Sequence, residues 1–541
     1  MSRTLDPPFD HVDFKAPFSW ESLFEFRRHF PKPTHREGLR VCVIGGGIAG
    51  LCASYELSRR NCKVTLLEAT GRCGGRIRTH RFDDGTYGEL GAMRLPITHQ
   101  ATLDYVERFG LATRPFIGSN PNGLFFIQGQ RGSVDFFGDA GNGIAGKLKS
   151  AYPGLTLSAA ELCRSPFDLL LERVVYPVLR KLTDSQRWSL FLNGGAGSRL
   201  ASWEEQTLRE FVTKELPRSV RLSSDDWSYI ARATGMLYLD SGTFAQFVLD
   251  LVPTLGTPMV EIVGGMEQLP NAFLRRLRSE DVRLGAKVVG LDVIGDGVNV
   301  RWKPERGKER KEPFDFVLCT APVNQLRSLD ITPKNSPGLA KKREAWRKVK
   351  MEYLAKCLLH CDERFWESEY DIVGGKSFTD ESIQQCYYPS DNGRRERLRS
   401  GANRWVQRDP EVSAQAGVFT AAYMWGKSAR KYDRLANEEG RTRSVIEGVD
   451  RLHGRSAADS VGNRVVDVRH EIWEEGFTYF QPGHQVRHQE NMRKPVTDSS
   501  GKARVFFAGE HLGIIHGWIL SSIVTSLAAV SELTKTANSV K

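Results

Sequence analysis

The chain has 541 residues, 40% of them apolar and 26% charged, with a formal net charge of +11. That length and apolar content exclude a disulfide-stapled miniprotein and a disordered polyelectrolyte, and predict two or three globular domains. The basic excess collects in "KPERGKERKE" (303–312) and "GRRERLRSGANR" (393–404), which interleave glutamate and lack stacked aromatics. Both read as solvated loops rather than a nucleic-acid surface, with charge enough to attract an anionic substrate or cofactor.

Residues 1–38 are polar and proline-bearing, with one aromatic cluster, "FSWESLFEFRRHF", and read as an N-terminal arm against the body. The acids and prolines of "MSRTLDPPFDHVDFK" make no secretory signal. Nine cysteines, an odd number without a C-x-x-C pair, give neither a disulfide framework nor a zinc pattern and suit a reducing compartment. The expected location is therefore cytoplasmic, with no metal site. Next comes "LRVCVIGGGIAGLCASYELSRRNCKVTLLEA", a strand, a glycine turn, a helix and a second strand at the size of a βαβ unit.

In "GGGIAG" the residues Gly45, Gly47 and Gly50 have G-x-G-x-x-G spacing. The first permits the tight turn, the second lets a pyrophosphate approach the backbone, and the third lets helix and strand touch. The helix N-terminus then supplies free N–H groups and a favourable dipole. Glu68, at the end of the second strand, suits the ribose diol of a dinucleotide and disfavours a 2′-phosphate. In "EATGRCGGRIRT" (68–79), Ala69, Arg72, Gly75 and Arg76 add a second basic, glycine-rich contact for a cofactor held along its length.

From about 100 to 260 the pattern reads as helical, as in "AELCRSPFDLLLERVVYPVLRKL". "EIVGGMEQLPNAFLRRL" then starts a new strand–turn–helix at 261, and "KVVGLDVIGDGVNVRW" is a hairpin around Gly-Asp-Gly. Residues 345–485 hold strands of a second sheet, "YLAKCLLH", "QQCYYP" and "GVFTAAYMWG". "ARVFFAGEHLG" returns to the first sheet, and the apolar run at 514–530 reads as the start of a buried helix, not a membrane anchor.

The motifs "GGGIAG…E…GRCGGRIRT", "GGMEQLP" (264–270), "DFVLCTAP" (315–322) and "FAGEHLGIIHGWILSSIV" (507–524) together resemble the flavin-containing amine oxidase family, over nearly the whole chain. The resemblance implies a mixed α/β fold. A discontinuous Rossmann-like FAD-binding domain (39–100, 261–344, 486–541) would be interwoven with a substrate-binding domain (345–485), a mixed β-sheet flanked by helices. A helical insertion would fill 101–260. It also implies that the three motif glycines meet the pyrophosphate, Glu68 the ribose, Arg76 the phosphate region and Val288 the adenine. Gly509 and Glu510 would attend the ribityl chain, and Gly517, Trp518 and Ile519 the isoalloxazine ring. Glu475 stands where covalently flavinylated relatives carry cysteine, so FAD is expected to be noncovalent.

"GELGAMRLP" (88–96) carries Arg94 between apolar neighbours, and Gly91, Ala92 and Met93 look like a backbone passage beside the flavin. The segment resembles the motif in L-amino-acid oxidases whose arginine pairs with the substrate α-carboxylate, a match for a guanidinium fork. A distant protein acid or the flavin phosphates are the alternative partners. By the same resemblance Tyr423 shares the carboxylate, and Lys356, in an apolar strand, holds a water near flavin N5. The family's "DPY" is replaced here by "HEIWEEGF", which puts Trp473, Glu475 and Gly476 near the side-chain pocket; Asp240 is a second candidate. Buried acids beside a tryptophan favour arginine or lysine as substrate, with a broad or aromatic preference as the rival.

The expected activity is oxidative deamination of an L-amino acid with O2, giving a 2-oxo acid, ammonia and hydrogen peroxide. An amide-forming amino-acid 2-monooxygenase, a polyamine or monoamine oxidase, and a non-catalytic FAD-binding module are the alternatives. Relatives in the family are often homodimers, and no nucleic-acid or membrane partner is expected.

Overall fold

A computed structural model describes residues 38–133, 144–164, 166–183, 186, 199–251, 257–397, 403–483 and 485–538. Apart from Gly38, the expected N-terminal arm lies outside the described residues. Strand β1 (Arg40–Ile44), helix α1 (Ile48–Ser58) and strand β2 (Lys63–Leu67) form the strand–helix–strand unit. The strands run parallel, in register from Arg40↔Lys63 to Ile44↔Leu67. Val41, Cys42 and Val43 are fully buried, as a parallel strand covered on both faces requires. A Cβ on Gly50 would fall 1.8 Å from the Gly45 carbonyl oxygen, so only glycine lets α1 lie this close to the turn.

The expected helical stretch opens with a helix at Gln100–Arg108 but is then interrupted by strands. Thr113–Phe116 joins Met259–Ile262 and Leu95–Pro96 in a three-stranded sheet, and Leu124–Ile127 and Gln130–Ser133 form a hairpin. Aromatic and β-branched side chains around a Gln-Gly turn win over the helical reading here. Helices do dominate the described residues of 144–251, ending in α2 (Phe244–Leu251), around a core that includes Trp203, Trp227, Phe244 and Phe247.

Strands β3 (Ala286–Ile294) and β4 (Gly297–Pro304) pair antiparallel as the Gly-Asp-Gly hairpin. After β5 (Phe316–Cys319) the chain builds its largest sheet. The long β6 (Val349–Cys361) is followed by β7 (Lys376–Thr379), β8 (Gln385–Tyr387), the hairpin β9 (Gly393–Arg397) and β10 (Asn403–Gln407), β11 (Gly417–Trp425) and β12 (Val465–Phe480). Seven strands run in the order β12-β6-β11-β8-β7, then Leu124–Ile127 and Gln130–Ser133. The arginine-rich stretch expected to be a solvated loop thus forms β9 and β10, a separate two-stranded sheet.

Strand β13 (Ala503–Phe507) returns to β5 in parallel, and α3 (Ile519–Asn538) covers α1. The first sheet is ordered Val282–Arg283, β2, β1, β5, β13, Val496–Thr497, so its strands come from both ends and the middle of the chain. Seven of the nine cysteines are buried and all nine are free thiols. Among the described residues no helix is long and apolar enough to cross a membrane.

Gly50→Ala tests the close approach. Overpacking at such a contact costs about 1–3 kcal/mol or more. We expect a thermal midpoint several degrees lower, measured by calorimetry. A variant with unchanged melting would show that α1 can retreat from the turn.

Candidate active site

A continuous cavity of about 1840 Å³ runs between the two large sheets. One end is lined by Gly45, Gly47, Glu68, Ala69, Gly75 and Val288, the other by Arg94, Lys356, Tyr423, Trp473 and Trp518. At the first end, Gly47 caps α1 without any side-chain hydrogen bond, and no acid lies in the first turn. The N–H groups that open the helix are left for an anion. A Cβ on Gly75, whose φ is +56°, would lie 3.1 Å from the Gly47 Cα, so two glycine backbones form a narrow cradle there. Glu68 accepts the Gly46 N–H at 2.5 Å and the Thr70 N–H and hydroxyl at 2.8 and 2.7 Å, which fixes its carboxylate at the cavity edge. This cradle, acid and length fit a dinucleotide such as FAD.

The middle of the cavity is held by Glu510, on the turn after β13. Its carboxylate accepts from the Thr478 N–H and hydroxyl at 3.1 and 2.7 Å, the Gly517 N–H at 2.9 Å and the Arg76 guanidinium at 3.1 Å. Burial works to raise its pKa, but Arg76, His516 and these donors outweigh it and hold the carboxyl down at about 2. Arg76 also donates to the Gly476 carbonyl at 2.9 Å, tying the first basic loop to β12. Gly517 has φ +76°, a left-handed value that presents its N–H to Glu510 and sets Trp518 and Ile519 at the cavity wall.

At the far end, alternation along Leu95–Pro96 explains Arg94. Leu95 is fully buried beside Val260, so its neighbour turns to the opposite face. The Arg94 guanidinium sits 5.2 Å from the Tyr387 ring centre, 5.5 Å from Phe116 and 5.8 Å from Trp518. Burial raises the Tyr387 phenol, but Arg94 and then Lys376 prevail and its pKa is lowered. Lys356 faces Tyr423 across the β6–β11 ladder, with its ammonium 4.7 Å from that ring. It donates to the carbonyls of Glu89 and Gly91 at 3.1 and 2.7 Å and contacts the Met93 sulfur at 3.6 Å. Burial pushes the Lys356 pKa down and that of nearby Glu89 up, each partly opposed by the other's charge. Burial also raises the Tyr423 phenol, which stays protonated and able to donate.

Some sequence-derived candidates sit elsewhere. Asp240 accepts from Arg209 at 2.8 Å and from the Trp227 indole at 2.5 Å, is outside the cavity lining, and offers nothing to a substrate side chain. Glu475 lines the cavity but accepts from Gln325 at 3.3 Å, on the helix that follows β5, and so faces the nucleotide side. Gly50 serves helix–strand contact and does not line the cavity. Arg72 spends its guanidinium on the carbonyls of Gly75, Ile77 and Cys73 in its own turn. Trp473 donates to the Leu90 carbonyl at 2.8 Å, and Gly476 is required because a Cβ there would meet Leu354 at 2.3 Å. Sequence reasoning missed Phe116, Lys376, Gln385, Tyr387 and Trp425. Lys376 and Tyr387 lie opposite each other on β7 and β8, and only that pairing brings them to Arg94.

Residues 48–529 match the family described as flavin containing amine oxidoreductase. The chain is similar to the L-amino-acid oxidase of Vipera ammodytes ammodytes, 28% identical over 95% of this chain and 96% of that one. It is also similar to the flavin-dependent L-tryptophan oxidase RebO of Lentzea aerocolonigenes, 28% identical over 91% of this chain and 98% of that one. Among solved structures, a putrescine oxidase bound to putrescine aligns with a TM-score of 0.67 at 16% identity, over 92% of this chain and 99% of that one. A cyclohexylamine oxidase from Brevibacterium oxydans aligns with a TM-score of 0.65 at 14% identity, over the same shares.

The Glu510 junction makes a pH prediction. Its folded carboxyl titrates below the unfolded one, so the stabilisation is fully present above the unfolded value near 4.5 and is lost as pH falls towards 2. The shift corresponds to something on the order of 3 kcal/mol. Glu510→Gln should lower stability at neutral pH and flatten the fall between about pH 5 and 2. Parallel denaturation profiles of the flavin-loaded wild type and variant would exclude a buried anion at this position.

Proposed function

This chain belongs to the flavin containing amine oxidoreductase family, and on that premise we propose that it is an FAD-dependent L-amino-acid oxidase. The observation that carries this reading is Arg94 in its aromatic box, in the same cavity end as Trp518, Tyr423 and Lys356. A guanidinium among rings at the substrate end suits a carboxylate, which a simple amine lacks. The similarity to L-amino-acid oxidases over nearly the full length supports the same reading.

Gly45, Gly47, Glu68 and Arg76 would hold FAD, which when bound would supply the acceptor for the substrate's hydride and hand two electrons, with two protons, to O2 as hydrogen peroxide. The protein's part is orientation and proton control. Arg94 binds the α-carboxylate, and the Tyr423 hydroxyl donates to the same group. Trp425 lies 4.9 Å from Tyr423 and 5.5 Å from Phe477, ring centre to ring centre, and these aromatics keep water from the reacting carbon. Lys356, braced by two carbonyls in a buried setting, holds a proton or a water beside the site of O2 reduction. The imine released from the site hydrolyses to a 2-oxo acid and ammonia.

The preference for a basic side chain depends on Asp240 and Glu475; Asp240 is held by Arg209 and Trp227 outside the cavity lining, and Glu475 accepts from Gln325 at 3.3 Å. The lining of the side-chain space includes Phe125, Met236, Phe247, Phe378 and Trp425, which supports broad acceptance of apolar and aromatic side chains.

The flavin-loaded protein should yield peroxide and ammonia from L-amino acids but not from putrescine or spermidine. Peroxide from the polyamines alone would sink the carboxylate reading, and amide without peroxide would indicate a monooxygenase. Arg94→Met should lower kcat/KM for L-amino acids by roughly 100-fold or more while keeping the flavin spectrum, since charge-assisted bonds are worth about 1.5–3 kcal/mol each.

A further inference from the structure

The β9–β10 hairpin forms part of the cavity wall and has no role in the chemistry above. Arg395 and Trp405 oppose each other across its ladder, and both line the cavity. Arg395 is exposed and Trp405 half-buried, which places the pair at the solvent end. The hairpin is firmly rooted. The Arg408 N–H donates to the Asn392 carbonyl at 2.6 Å, the Asn392 amide to Glu367 at 2.6 Å and to the Asp409 carbonyl at 3.0 Å. Arg364 grips Asp391 through two bonds of 2.7 and 2.8 Å. Gly393 at the hairpin's base abuts Ile117, the residue after Phe116, whose ring borders Arg94. A fixed path therefore connects the hairpin with the carboxylate site.

Charge on this wall is one-sided. The strands carry Arg394, Arg395, Arg397 and Arg404 against a single acid, Glu396. Glu396 is taken by Arg404 at 2.9 Å and Arg394 at 4.0 Å. Among the described residues Arg395 meets no carboxylate. Deeper in, the Lys376 ammonium lies 4.7 Å from the Phe378 ring centre and has no ion-pair partner among the described residues. The acids that face this part of the cavity are Asp168, exposed at its rim, and Asp250. Asp250 accepts from the His516 N–H at 2.7 Å and from Gln246 at 3.0 Å.

We infer that Arg395 and its hairpin make the cavity mouth a charge filter that favours L-amino acids with anionic or uncharged side chains over those with cationic ones. This rests on the amino-acid-oxidase reading and adds the substrate class to it. The α-ammonium and α-carboxylate of any amino acid cancel at a distance, so the side-chain charge decides the sign. A unit charge about 6 Å away in water changes the local concentration of a monovalent ion roughly threefold, and reversing it acts on both signs at once.

The test uses the flavin-loaded enzyme with L-glutamate, L-glutamine and L-lysine, each assayed as a substrate or as an inhibitor of L-leucine turnover. Raising NaCl from about 0.01 to 0.5 M should weaken the interaction with glutamate, strengthen it with lysine and leave glutamine little changed. Arg395→Glu should cut the glutamate-to-lysine ratio of kcat/KM, or of inhibition strength, about a hundredfold at low salt, and Arg395→Gln by roughly half that on a logarithmic scale. The Arg395→Glu effect should vanish at high salt. Equal salt slopes for the three amino acids, or ratios unchanged in both variants, overturn the filter while the oxidase reading stands. Peroxide from no L-amino acid, leucine included, removes the oxidase reading and the filter with it.

Discussion

One buried carboxylate ties the parts of this molecule together. Glu510 receives Arg76 from 434 positions earlier in the chain, Thr478 from the long edge strand of the large sheet, and Gly517 from the turn that presents Trp518. Each donor comes from a different segment lining the cavity. The nucleotide sheet, the substrate sheet and the tryptophan turn are thus referenced to a single anion, and a shift of any one of them breaks a charge-assisted bond in a low-dielectric setting. Burial alone would make such an anion costly, so its depressed pKa measures how completely the three segments satisfy it.

Electrostatically the cavity has two halves. At the nucleotide end, glycine turns and a helix N-terminus supply positive potential from backbone dipoles, which suits a cofactor with fixed phosphates. At the proposed substrate end, potential comes from a side chain instead, the Arg94 guanidinium among its rings. Backbone donors cannot be lost by substitution, whereas side chains can be exchanged. The arrangement leaves the cofactor half constant and lets the substrate half vary by small changes in sequence.

The legible parts of the sequence were those whose reason is local. Gly45, Gly47 and Gly50 announce a turn because their spacing and the flanking strand and helix belong to one stretch of chain. Arg94 was visible because a cation between Met93 and Leu95 breaks an apolar run. Tyr387 and Lys376 were not visible, since each looks like an ordinary strand residue until β7 and β8 pair them and Arg94 arrives from nearly 300 positions away. Asp240 and Glu475 misled for the converse reason: their chemistry was right for a pocket, but Arg209, Trp227 and Gln325 claim them through contacts that no local pattern reveals. Thr113–Phe116 and Leu124–Ile127 were hidden because they pair with Met259–Ile262 and β7, far along the chain.

The shielded cysteines take on a meaning from the proposed product. Hydrogen peroxide oxidises thiolates far faster than thiols. Burial lifts Cys319, Cys357 and Cys361 to about 12 and Cys62 and Cys73 to about 11, the last of these beside the glycine turn of the nucleotide end. At neutral pH these sulfurs keep their protons, so the peroxide of the proposed oxidase reaction would meet few thiolates to attack. Chemical endurance over many turnovers is then a property of the same dense core that holds the fold.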